Sequence, residues 1–186
     1  MHALIARFLF ASFVCCFALP SAGQGSDGDP VSVVIAYREA MNAHDLDRAL
    51  ALFSDDAELV NSRGRKVTGK SSLRSFLQGN INSQVSYFKV ESPEVKGDAV
   101  TYDSWATAEW SEKLGMGPMR VTWQGVITSG RIRTVTVYFP PEELARLAKA
   151  CEKPEAQGVL LFSQPCPEFV KQAQAHTERM VAQQRR

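Results

Sequence analysis

The segment from Gly64 to Ser71 carries the most recognisable chemical motif of the sequence. It reads GRKVTGKS and matches the phosphate-binding pattern G-x-x-x-x-G-K-[ST] in full. In such a loop, backbone N–H groups would surround phosphates, Lys70 would contact their charge and Ser71 would bind Mg²⁺. Three features argue against this: the chain begins with an export-type leader, no clean apolar strand ends in a second metal-binding Asp, and the later strands connect as hairpins. We therefore expect no nucleotide and no other cofactor.

Titratable side chains elsewhere are weaker candidates for chemistry. His44 and His176 are the only histidines beyond the N-terminal segment, and both lie among polar residues. This predicts solvent-exposed imidazoles and no metal site. Asp55 and Asp56 are adjacent carboxylates, but between a helix and a strand we interpret them as turn residues. Nothing in the local sequences suggests a Ser-His-Asp or Cys-His arrangement.

Apolar residues at helical spacing predict three helices before the strand-rich part of the chain. Asp29 followed by Pro30 is an N-cap with proline at the first helical position. The predicted helices span about 30–43, 46–53 and 71–79. Between the second and the third, a short strand is predicted from Ala57 to Asn61, followed by a loop over 62–70.

Long strands are predicted after the helices, over about 84–91, 99–110, 119–128 and 131–139. Ser129-Gly130 is a tight hairpin signal between the last two. Helices followed by antiparallel strands predict an α+β fold with the helices on one face of the sheet. Residues 140–186 form a C-terminal extension, predicted as two further helices.

The N-terminus has the composition of an export signal. Arg7 precedes a 12-residue apolar run, 8–19, that is too short to span a bilayer of roughly 30 Å. We expect cleavage after Gly23, a polar linker over 24–28, and a periplasmic or secreted protein that lacks Cys15 and Cys16. An uncleaved anchor is the alternative.

Charge and cysteine content restrict the possible partners further. Lys and Arg number 21 and Asp and Glu 20, which argues against a nucleic-acid surface, and after removal of the leader no membrane contact is expected.

Cys151 and Cys166 are predicted to form a disulfide that closes a loop of about 15 residues. The alternative, a redox pair, lacks the C-x-x-C spacing.

The stretch from Tyr37 to Leu77, centred on FSDDAELVN (53–61), resembles the nuclear transport factor 2-like, or SnoaL-like, superfamily. The resemblance covers about residues 30–139, and we assign 29–139 to the domain. It implies a cone-shaped fold in which three N-terminal helices pack on a strongly curved antiparallel sheet around one pocket.

Comparison with the ketosteroid isomerases of this superfamily implies that their chemistry is altered here. Tyr37 falls at the place of their oxyanion-stabilising tyrosine. Asn61 stands where they have the Asp general base, and an amide cannot abstract a proton near neutral pH. Their second oxyanion donor, a protonated Asp, maps near Thr122.

The segments DAELVN and GRIRTVTVYF are similar to limonene-epoxide hydrolases. Asn61 matches the Asn that orients the attacking water there, but Leu59 replaces its tyrosine companion. Val137 replaces the catalytic Asp of the last strand, and the upstream Arg and Asp fall near Asp103 and Trp105. The resemblance therefore implies that water activation of this kind is lost.

A pocket remains plausible, because Val135, Val137 and Phe139 share one face of the last strand. We predict eight lining residues: Tyr37, Met41, Asn61, Asp103, Trp105, Val135, Val137 and Phe139. The alternatives are a core role for Tyr37 and a structural strand-end role for Asn61. Trp105, Trp110 and Trp123 line either the pocket or the sheet face of a homodimer.

The sequence thus favours an exported protein that binds a small, largely apolar molecule, without catalysis. One alternative is an isomerase, dehydratase or epoxide hydrolase that uses Tyr37 as a donor and Asp103 as an acid or base. A partner-binding accessory protein is another.

Overall fold

The computed structural model describes residues 29–186. The predicted leader (1–23), the linker (24–28), Cys15 and Cys16 lie outside the described residues. The helices are α1 (Pro30–Asn42), α2 (Leu46–Ala51), α3 (Lys70–Asn82), α4 (Glu109–Lys113), α5 (Pro141–Cys151) and α6 (Cys166–Gln184). The strands are β1 (Phe53–Val60), β2 (Lys66–Thr68), β3 (Ser86–Lys96), β4 (Ala99–Thr107), β5 (Met119–Thr128), β6 (Arg131–Tyr138), β7 (Leu160–Leu161) and β8 (Gln164–Pro165).

Six strands form one curved sheet in the order β2-β1-β6-β5-β4-β3. Every neighbouring pair is antiparallel except β1 and β6, which run parallel. The β5–β6 hairpin turns at Ser129 and Gly130, whose φ angles of 51° and 69° fit the predicted tight turn. The predicted α+β fold, with helices packed on an antiparallel-dominated sheet and a C-terminal helix, is confirmed.

The start of α1 follows the local rules that its sequence suggests. The Asp29 carboxylate accepts hydrogen bonds from the backbone N–H groups of Val31 and Ser32, both at 3.2 Å. Pro30 occupies the first helical position, where a missing N–H has no cost. The buried face of α1 includes Tyr37 and Met41, which the sheet covers.

The region around Phe53 differs from the prediction. The second helix ends at Ala51, and β1 takes in Asp55 and Asp56, so their interpretation as turn residues is wrong. The β1–β6 register shifts between Phe53 and Glu58. Because the strand is irregular there, both carboxylates stay exposed on it rather than ending a helix.

Three other helix and strand ends differ from their predicted positions, each for a physical reason. Helix α3 continues through Gly79, since one glycine costs only about 1 kcal/mol in a helix interior. Strand β3 continues through Pro93, which an edge strand tolerates. Strand β4, which was predicted to reach Trp110, ends at Thr107, and α4 follows it. The Ser111 hydroxyl oxygen accepts a hydrogen bond from the N–H of Ala108, the residue before α4, at 3.0 Å.

The phosphate-binding pattern does not form one continuous loop. Its middle residues are β2, which pairs with β1, and its lysine begins α3. The Lys70 ammonium lies 2.8 Å from the Asp55 carboxylate on the surface. The sequence match therefore arises from a strand and a helix start that have other backbone partners.

A disulfide joins Cys151, the last residue of α5, to Cys166, the first residue of α6. The closed segment contains a short 3₁₀ turn (Pro154–Ala156) and the β7–β8 hairpin. The two helices of the extension pack against each other and against the main sheet through α6.

The prediction of a solvent-exposed imidazole is wrong for His176, because only 3% of this residue is exposed. Its Nε2 lies 3.2 Å from the backbone oxygen of Val137, and the Thr177 hydroxyl donates to the backbone oxygen of Phe139 at 2.9 Å. Strand β1 pairs with β6 only as far as Thr136. Helix α6 thus satisfies the backbone oxygens of Val137, in β6, and Phe139, directly after it, which β1 leaves unpaired. A local polar sequence does not reveal this tertiary contact.

Within residues 29–186, no helix is long and apolar enough to cross a membrane. The same part of the chain contains no group of three His, Cys, Asp or Glu side chains placed to hold a metal ion.

Candidate functional site

A cavity of about 260 Å³ opens between α3, the inner face of the sheet, α4 and the β7–β8 hairpin. Its volume lies just below the range of about 300–1,000 Å³ that is typical of small-molecule sites. Six aromatic side chains line it: Phe76, Tyr87, Trp110, Trp123, Phe139 and Phe162. The indole N–H groups of both tryptophans are buried without a hydrogen-bond partner among the described residues.

Asn61, one of the residues predicted for the pocket, lines the cavity at the end of β1, and its oxygen already accepts hydrogen bonds. Its Oδ1 accepts hydrogen bonds from the backbone N–H groups of Arg63 and Arg65, both at 3.1 Å. The side chain therefore shapes the turn between β1 and β2. Its amide nitrogen has no hydrogen bond to another described residue, which leaves a donor at the cavity edge.

Arg63, on the same turn, is the one lining residue of the described chain that carries a charge at neutral pH. It is partly buried, and its guanidinium carbon lies 5.8 Å from the centre of the Phe169 ring. Burial, with a smaller contribution from the nearby Arg65, lowers the pKa of Arg63. No carboxylate within residues 29–186 lies within 4.0 Å of it.

Tyr37 lies in the core rather than in the cavity wall. Only 1% of it is exposed, and its ring packs against Phe53 and Trp123 at centroid distances of 5.6 Å. Its hydroxyl has no hydrogen bond within the described chain, and burial raises the pKa of Tyr37 well above its ordinary value. Tyr37 and Val135 border a separate void of about 20 Å³, while Met41 is buried in the core and borders neither space.

Asp103 and Trp105 do not line the cavity either. Side chains alternate along β4, and Tyr102 and Ser104 are the ones that point into the core. Asp103 accepts a hydrogen bond from the Thr122 hydroxyl at 2.7 Å on the outer face. Trp105 also faces outward, and its Nε1 donates to Glu91 at 3.1 Å. The prediction chose the wrong face of this strand, and a homodimer through the outer face stays a prediction.

The cavity therefore combines three predicted residues, Asn61, Val137 and Phe139, with several that the sequence did not single out. Trp110 and Trp123, for which the sequence allows either the pocket or a dimer surface, both line the cavity. Phe162 and Ser163 come from the extension, where no periodic pattern marks them. Arg63 also carries no local signal, because its position depends on the turn that Asn61 holds.

The lining limits the chemistry available in the cavity. Burial raises the pKa of Tyr87 to about 12, so its hydroxyl is neutral near pH 7 and can act only as a hydrogen-bond partner. Asn61 and Asn80 are amides, and the serine and threonine hydroxyls have no adjacent base among the lining residues. The wall can thus enclose an apolar molecule and hold a polar or anionic group, but it offers no general base.

A family model described as the SnoaL-like domain matches residues 34–132, which is more than half of the chain. The chain belongs to the SnoaL-like domain family. The matched segment begins within α1, continues through β5 and ends at the start of β6. Val137, Phe139, Phe162 and Ser163 follow residue 132, so part of the cavity wall of this SnoaL-like protein lies outside the matched segment.

Solved structures with the same fold share little sequence with this SnoaL-like chain. One is SalBIII, an epoxide hydrolase/cyclase-like enzyme with a role in pyran ring formation in the polyether salinomycin. It is 14% identical with a TM-score of 0.53, and the match covers 61% of this chain and 92% of that one.

A nuclear transport factor 2-like protein of unknown function from Cytophaga hutchinsonii is also 14% identical, with a TM-score of 0.50 and coverage of 63% and 95%. A protein from Sphaerobacter thermophilus is 18% identical, with a TM-score of 0.51 and coverage of 59% and 94%. At these identities the likeness concerns the fold alone. No curated protein matches the sequence.

Proposed function

We propose that this SnoaL-like protein binds a small, largely apolar molecule in its cavity and does not transform it chemically. The observation that carries the proposal is the lining itself, in which six aromatic side chains surround a space without a carboxylate, imidazole or thiol among the described residues. Such a wall favours apolar contact, and the amide N–H of Asn61 at its edge, free within the described chain, can orient one polar group.

The expected affinity is modest because the cavity is small. Burial of about 200 Å² of apolar ligand surface at about 25 cal/mol per Å² contributes about 5 kcal/mol, which corresponds to a Kd of about 0.2 mM. Ordering of the ligand weakens this value, and stacking on the aromatic side chains strengthens it.

The enzymatic alternative requires Tyr37 and Asp103 to act on one substrate. Tyr37 is enclosed in the core, and the Asp103 carboxylate binds Thr122 on the other face of the sheet. The two groups therefore do not converge on the cavity, and we do not include isomerisation or epoxide opening in the proposal.

The test is a titration with 1-octanol, followed by the fluorescence of Trp110 and Trp123 in the cavity wall. Val137→Phe places a larger side chain on the wall and should abolish binding. Thr134→Phe adds the same side chain at an exposed position of the same strand and serves as the control. Equal binding by both variants, or turnover of a β,γ-unsaturated ketone or an epoxide above background, would contradict the proposal.

We further propose that the protein is exported. The leader-like composition of residues 1–23 supports this, as does the disulfide, because disulfides persist in oxidising compartments. Pulse labelling of the full chain in a secreting bacterial host tests it. Export predicts a product shortened by about 23 residues outside the cytoplasm, and retention of the full-length chain in the cytoplasm would contradict it.

A further inference from the structure

Arg63 is a partly buried cation without an anion. Ten ion pairs occur within residues 29–186, and none includes Arg63. The lining around it contains neither Asp nor Glu. Its contact with the Phe169 ring compensates only part of the lost hydration, since cation–π contacts are weak compared with the cost of burying a charge.

The turn that carries Arg63 is held rigidly from two sides. The Asn61 oxygen accepts the N–H groups of Arg63 and Arg65. Gly64, at a φ of 77°, packs against α6 so closely that a Cβ atom there would lie 2.7 Å from Arg179 and 3.1 Å from His176. These contacts fix the backbone of the turn, and the Phe169 ring restricts the guanidinium, so part of the ordering cost is met before a ligand arrives.

The surrounding charge also favours an anion. The positive charge of Arg65 lies near Arg63 and contributes to the lowered pKa of its guanidinium. No carboxylate among the described lining residues counteracts this effect. An incoming anion would therefore meet a positive site inside an aromatic wall. A single guanidinium offers two parallel N–H donors, which match the two oxygens of a carboxylate, whereas a phosphate dianion would keep an uncompensated charge.

We propose that the cavity selects molecules with an apolar body and one carboxylate, and that Arg63 binds the carboxylate. This inference rests on the proposed function, since it assigns the ligand class of the same cavity. Arg63 is thus the residue that determines specificity, while the aromatic wall supplies contact with the apolar body.

The experiment compares three probes of equal chain length, octanoate, octanamide and octyl phosphate, by calorimetric titration at pH 7, where the carboxylate is ionised. The wild type should bind octanoate about 10- to 100-fold more tightly than octanamide. Arg63→Gln should remove this preference and leave the affinity for octanamide nearly unchanged, which also shows that the variant is folded.

Arg65→Gln is the matched control, because it removes the same charge from an exposed residue that does not line the cavity. It should keep the preference for octanoate. Equal binding of octanoate and octanamide by the wild type would overturn the carboxylate assignment and leave the proposed function intact, and tighter binding of octyl phosphate would do the same. Binding of none of the probes would contradict both proposals.

Discussion

Removal of the disulfide should destabilise the protein by an amount that follows from the length of the loop that it closes. Cys151 and Cys166 are 15 residues apart, and closing a loop of that length lowers the entropy of the unfolded chain by the equivalent of about 3 kcal/mol. For a folded region of this size, that loss corresponds to a decrease in Tm of about 6–12 °C. The double variant Cys151→Ala, Cys166→Ala should therefore unfold at a correspondingly lower temperature.

Thermal unfolding with and without reductant is the assay. Reductant should lower the Tm of the wild type towards that of the double variant and should not affect the variant itself. Because Cys166 is buried, alanine there also removes packing, and only the part of the decrease that reductant reproduces reports the disulfide.

Hydrogen exchange should locate the effect. The extension, 140–186, should lose protection before the main sheet does, because the disulfide joins the two helices of the extension. Equal Tm values for reduced and oxidised wild type would refute the entropic reasoning. A uniform loss of protection across residues 29–186 would refute its restriction to the extension.

Three further predictions concern single side chains. Tyr37→Phe should leave octanol affinity unchanged and alter the free energy of unfolding by less than about 1 kcal/mol in denaturant titrations, because the lost hydroxyl makes no hydrogen bond in the described chain. Burial lowers the pKa of His176, so the stability it contributes is complete above about pH 6.5 and is lost as the pH falls through its folded pKa. His176→Gln should show a smaller loss of stability between pH 7 and 5 than the wild type, and equal slopes would contradict this. Lys70→Ala should change stability by less than about 1 kcal/mol, because its partner Asp55 is highly exposed, and a Mg-ATP affinity that this substitution abolishes would restore the phosphate-loop hypothesis.

Local signals were sufficient for most of the fold. The Asp29–Pro30 cap marks the start of α1, and the Ser129-Gly130 turn fixes the boundary between β5 and β6. Both features depend on backbone preferences of a few adjacent residues, which a sequence displays directly. The resemblance of the segment around Phe53 also identified the superfamily correctly, although the helix–strand boundary within it was wrong.

The candidate site was predicted less well because its composition depends on which face of each strand points inward. It also depends on contacts with segments that are distant in the sequence. Alternation places Asp103 and Tyr102 on opposite faces of β4 but does not say which face is inside, and the sequence offers polar residues on both. The burial of His176 requires α6 to meet the end of β6, more than 30 residues earlier. Arg63 enters the wall only because Asn61 and Gly64 fix its turn.

The position of Phe162 has a consequence for how the shape of the cavity can diverge among related proteins. It stands on a hairpin inside the covalent ring closed by Cys151 and Cys166, and this ring follows the segment that the family model matches. Substitutions in the ring alter the shape of one cavity wall while every strand pairing of the main sheet is retained. The cavity can therefore change shape through mutations in a tethered segment, while the sheet that forms much of its remaining wall stays the same.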